Sequence, residues 1–150
     1  MYKGSCLFVC LRKAFQRFNH KDANKTEEEL FKIVCQTIEK TIFKRKDFVD
    51  NEAKKSYREF LIQAKHEKSA WKTYVELGYW DSSWCDYLLD AVQISFNINL
   101  NIYTLNNEDK LEQQKYTSNF KKKKGSNNRS IDLFYWVSLK HYDLLFPCKV

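Results

Sequence analysis

The chain has 150 residues, 43% of them hydrophobic and 16% aromatic, enough for one domain with a real core and too apolar for a disordered segment. Its 26 Lys and Arg against 19 Asp and Glu give a formal net charge of +7, which permits an acidic or nucleic-acid partner without establishing one. Cysteines stand at 6, 10, 35, 85 and 148 with no CxxC pair, so neither a zinc ribbon nor a disulfide framework is indicated. Reduced thiols fit the cytoplasm, with the nucleus left open. No run approaches the roughly 18 apolar residues of a membrane span. Arg12 and Lys13 cut short an apolar start that could otherwise pass for a signal peptide, so the reading is of a soluble, intracellular protein.

Only three glycines and one proline favour long helices and few tight turns. The chain opens with Lys3-Gly4-Ser5-Cys6, in which Gly4 allows a tight turn. Leu7, Phe8, Leu11, Ala14 and Phe15 then recur at helical spacing, which predicts a helix from Cys6 to Phe18. Cys6 thus stands where a loop becomes a helix. Unpaired N–H groups and the positive dipole end favour a thiolate there, so its pKa is expected below about 8.5, as for a nucleophile. The plainer reading is a half-buried core cysteine.

Asn19 to Lys25 reads as a polar connection. Thr26-Glu27-Glu28-Glu29 is a capping box, and Leu30, Ile33, Val34, Ile38 and Ile42 form the apolar face of the helix it starts. Lys44-Arg45-Lys46 suits that helix's C-terminal dipole. Phe48 to Glu67 and Ser69 to Tyr79 read as further helices, the second ended by Gly78. Asp81, Ser82 and Ser83 are N-cap candidates for a helix from Trp84 to Phe96.

The period then changes to two. Asn97 to Tyr103 alternates as a half-buried strand, and Asn106 to Asn128 is a polar excursion with Lys121 to Lys124 at its tip. Ser130 to Leu139 is strand-like, Lys140 marks a turn, and His141 to Phe146 is a last strand stopped by Pro147. Helices first and a small, mostly antiparallel sheet afterwards predict a single α+β domain over residues 1–150.

In that last strand His141 and Asp143 project from one face. An aspartate on one imidazole nitrogen fixes the tautomer and leaves the other nitrogen as a base. With Cys6, such a pair gives an activated thiolate nucleophile; the alternative is a surface His–Asp pair. His20 and His66 lack such a partner and read as surface residues.

The chain resembles the OTU (ovarian tumour) domains, a family of deubiquitinating cysteine proteases with a papain-type fold. Those domains open with Asp-Gly-Asn-Cys-Leu-Phe, matched here by Lys3-Gly4-Ser5-Cys6-Leu7-Phe8. Their Trp-containing turn, Ala/Leu helix and Ile/Tyr strand are matched by Trp80 or Trp84, Leu88 to Phe96 and Leu100 to Tyr103. Their closing aromatic strand and His-Tyr-Asp or His-Tyr-Asn are matched by Trp136 to Leu139 and His141-Tyr142-Asp143. The resemblance implies that Cys6 attacks the carbonyl after the C-terminal glycine of ubiquitin or a ubiquitin-like modifier. His141 would act as base and Asp143 would orient it, with backbone N–H groups of Lys3, Gly4, Ser5 and Cys6 as oxyanion hole. It implies no metal or organic cofactor. The sequence departs from the pattern at Lys3, where some members carry an aspartate supporting the histidine, and at Leu88, where an acidic residue is common, with Asp86 close by. Two rival readings follow: a catalytically weak or inactive OTU-like ubiquitin-binding module, and a basic nucleic-acid-binding protein.

Overall fold

The computed structural model describes residues 5–77, 83–114 and 129–145. Lys3, Gly4, Gly78, Trp80, Asp81, Ser82, Lys121 to Lys124, Phe146, Pro147 and Cys148 lie outside them. The described chain is α+β, with five α-helices packed on a four-stranded sheet.

Helix α1 (Cys6–Arg17) buries Leu7, Phe8, Leu11 and Phe15 completely, as their spacing predicts. Helix α2 (Glu27–Thr37) starts at the capping box: Thr26 Oγ1 accepts from the Glu29 N–H at 3.2 Å, and Glu29 accepts from the Thr26 N–H at 3.1 Å. Its last turn loosens into a π-helical stretch, Ile38–Ile42, with both isoleucines buried. Helix α3 (Asn51–His66) begins later than predicted, because Asp50 caps it by accepting from Ala53 N–H at 3.0 Å. The Asp50 carboxylate also accepts from the Tyr87 hydroxyl at 2.8 Å. Helix α4 spans Ala70–Leu77. The helix predicted from Trp84 is split into a 3-10 turn, Ser83–Tyr87, and α5 (Leu88–Phe96). Asn97 ends α5 in the left-handed conformation at φ 53°, which asparagine tolerates better than most residues.

The helical core is aromatic. Phe8 packs edge-on against Phe31, Trp71 and Tyr74 at 5.5–5.8 Å. Trp84 is fully buried, with Phe60 at 4.9 Å and Tyr57 at 5.3 Å. Such contacts add to area burial by about 1 kcal/mol each.

The strands are β1 (Ile98–Leu105), β2 (Leu111–Gln114), β3 (Arg129–Trp136) and β4 (His141–Leu144), in the order β2-β1-β3-β4. The sheet is mixed: two of its three pairings are antiparallel, as expected for most of it, and one is parallel. The outer pairings are antiparallel, but the central one, β1 with β3 from Ile98↔Arg129 to Tyr103↔Phe134, is parallel. Alternation along β1 reports which face is buried and not the direction of its neighbour, so the sequence could not distinguish the two. Strand β2 lies inside the expected polar excursion. All four of its residues are exposed, so no apolar alternation marks it.

His20 is not the surface residue that the polar connection suggested. Its ring stacks on Phe15 at 4.1 Å, its Nδ1 accepts from Asp22 N–H at 3.0 Å, and its Nε2 is 3.0 Å from the Phe96 carbonyl oxygen. That pattern places the proton on Nε2 and ties the end of α1 to the end of α5. His66 is exposed.

Candidate active site

The β3–β4 pairing decides where the site residues point. The Leu145 N–H donates to the Asp132 carbonyl at 2.9 Å. In an antiparallel ladder inward- and outward-facing backbone groups alternate. His141 and Asp143 therefore direct their backbone groups towards β3, and Tyr142 directs its own away from the sheet. Helix α1 packs along that open edge. The Cys10 thiol donates to the Tyr142 carbonyl oxygen at 3.4 Å. The Tyr142 N–H reaches the Cys6 sulfur, where it counters part of the cost of burying the thiol. Cys6 and Cys10, one helical turn apart, thus cover the outer backbone of the residue between His141 and Asp143.

Of the expected site residues, His141 and Asp143 are in direct contact. His141 Nε2 is 3.0 Å from Asp143 Oδ1. This leaves Nδ1 with no partner among the described residues and able to carry the lone pair of a base. The same carboxylate is held from its other side: Trp136 Nε1 donates to Asp143 Oδ2 at 2.8 Å. These bonds, the indole's first, keep the Asp143 carboxyl below the usual carboxylate range, so it is ionised at neutral pH. Trp136 sits opposite His141 in the strand register. Sequence reasoning placed it only in an aromatic strand, because a diagonal contact between strands leaves no local pattern. The pair is half exposed, with side-chain exposures of 45% for His141 and 55% for Asp143.

Cys6 begins α1 and is 6% exposed. Its thiol pKa is raised, not lowered as its position at a helix start suggested. Burial is the main cause; the Asp143 charge adds to it, and N–H groups of Tyr142, Leu7 and Cys6 itself only partly offset it. The resting sulfur is a thiol that needs a base. Cys10 is pushed up to about 12, by burial first and by Cys6 next.

Among the expected oxyanion donors Lys3 and Gly4 lie outside the described residues. Ser5 and Cys6 begin the helix, where the first N–H groups have no intrahelical acceptor. Ser5 is buried, and its hydroxyl has no hydrogen-bond partner among the described residues. Leu88, where the OTU resemblance would put an acidic residue, is a core residue, and Asp86 is exposed. Among the described residues no helix is long and apolar enough to cross a membrane. Likewise, no cluster of three or more His, Cys, Asp or Glu among them is placed to hold a metal ion. Compared with models of protein families, with curated proteins and with solved structures, the chain finds no match.

Proposed function

We propose that the chain is a cysteine-dependent hydrolase of the OTU kind, cleaving the (iso)peptide bond after the C-terminal glycine of ubiquitin or a ubiquitin-like modifier. The observation that carries the reading is the His141–Asp143 pair at 3.0 Å on a strand whose intervening residue contacts the Cys6 sulfur through its backbone. Asp143 accepts from His141 Nε2–H and leaves Nδ1 to take the thiol proton. The sulfur then attacks the glycine carbonyl, and the tetrahedral oxyanion is met by N–H groups at the start of α1. The imidazolium returns its proton to the departing lysine amine, leaving a thioester on Cys6. Water hydrolyses the thioester with His141 again as base. The elevated thiol pKa makes this a base-assisted attack instead of one from a standing thiolate.

The same burial favours a second reading, a ubiquitin-binding module with weak or no turnover, and Lys3 in place of an aspartate supports it. A ubiquitin probe with a C-terminal electrophile separates the two. Covalent labelling lost in Cys6→Ala supports the hydrolase. Saturable binding without labelling supports the module. Neither binding nor labelling overturns both, and salt-sensitive binding to single-stranded nucleic acid would then identify the basic-protein alternative.

A further inference from the structure

We propose that Trp136 is a positioning residue of this site, holding the Asp143 carboxylate through its indole N–H so that Asp143 in turn holds the His141 ring; the inference rests on the hydrolase reading.

The register places Trp136 opposite His141 and Phe134 opposite Asp143, so all four side chains share one face of β3 and β4. Trp136 reaches its diagonal neighbour, a distance that a large aromatic spans. Phe134 backs the indole with ring centroids 4.6 Å apart. An aspartate carboxylate turns about two side-chain bonds, and one hydrogen bond does not arrest both. Here Oδ1 meets His141 at 3.0 Å and Oδ2 meets Trp136 at 2.8 Å, so the carboxylate is held at two points.

The indole is a donor only. It obliges Oδ2 to accept and leaves no room for a carboxyl proton on that side. Asp143 therefore acts as acceptor towards Nε2–H, the arrangement that keeps the basic lone pair on Nδ1. At a site where water reaches more than half of the Asp143 side chain, a lone His–Asp contact would compete with solvent. The second donor removes the carboxylate's freedom to turn away.

The test is a double-mutant cycle of Trp136→Phe and Asp143→Ala on a fluorogenic ubiquitin substrate, with imidazole 15N shifts of His141 read in parallel. Phenylalanine keeps an aromatic ring beside Phe134 and deletes the donor along with part of the bicyclic ring. A charge-assisted bond of this kind predicts that Trp136→Phe lowers kcat about tenfold with little change in KM. The 15N shifts should move from a single tautomer towards a mixture. In the Asp143→Ala background Trp136→Phe should have no further effect on kcat, because the indole acts only through the carboxylate. Equal losses in both backgrounds, or a kcat unchanged by Trp136→Phe, would overturn the inference. If Trp136→Phe does not fold, a benzothienylalanine at position 136 removes the N–H while keeping the shape of the bicyclic ring. Should the wild-type protein not turn over the substrate, the hydrolase reading falls, and the 15N shifts alone decide whether Trp136 holds the pair.

Discussion

The Cys10 thiol and the Tyr142 carbonyl oxygen are 3.4 Å apart, and this contact pins the second turn of α1 to the outer edge of β4. It joins the N-terminal helix to the last strand at the residue flanked by His141 and Asp143. Both cysteines on this face of α1 are dry, and their chemistry follows from that.

The first expectation is a loss of stability in alkali. Folded Cys10 has its pKa raised to about 12, while the unfolded thiol titrates near 8.5. Above about 8.5 the unfolded chain has given up a proton that the folded chain keeps, so it binds fewer protons and the unfolding free energy falls as pH rises. The stabilisation is complete below the unfolded value and is lost towards the folded one, at about 1.4 kcal/mol per pH unit for one such thiol. Urea midpoints measured from pH 8 to 11 should fall, and Cys10→Ala should flatten the slope. An equal slope in the variant would show that Cys10 does not carry the effect.

Cys6 should be selective but slow. A ubiquitin probe is expected to label Cys6 and to spare Cys10 and Cys35, both pushed up to about 12, chiefly by burial. With a small alkylating agent, the Cys6 rate should climb with pH past the ordinary thiol range and show no plateau in acid, because burial raises its pKa. Mass spectrometry of the alkylated chain gives site and rate together. A plateau below pH 6 would mean a standing thiolate.

Asp143 is expected to matter in steps. Asp143→Asn has one oxygen for two donors, so it keeps either the His141 or the Trp136 bond and loses the other. Asp143→Ala loses both. Turnover should fall moderately in the first variant and by ~10²-fold or more in the second, as for the orienting member of a triad. Steady-state kinetics on the ubiquitin substrate rank them. Wild-type turnover in Asp143→Ala would remove this residue from the mechanism.

His20→Ala should destabilise the fold without touching the site. It leaves the Phe96 carbonyl without its side-chain partner and empties the space over Phe15, a cost of about 1–3 kcal/mol. A shift in the thermal midpoint with unchanged probe labelling per folded molecule is the expected pair of results.

Much of this protein is determined by local sequence. Thr26 and Glu29 form their capping box because the partners are three residues apart, a distance set by the helix itself. The face of α1 follows from its 3.6 period, and the His141–Asp143 contact from the two-residue repeat of a strand. Tertiary structure decided the rest, wherever an effect depends on what lies across a gap. The thiol of Cys6 rises instead of falling, because a strand from the far end of the chain buries it beside the Asp143 charge; desolvation outweighs the helix end that the sequence displays. The direction of β3 beside β1, the contact of His20 with the Phe96 carbonyl, and the reach of Trp136 to Asp143 all pair residues by backbone path, which no local period records.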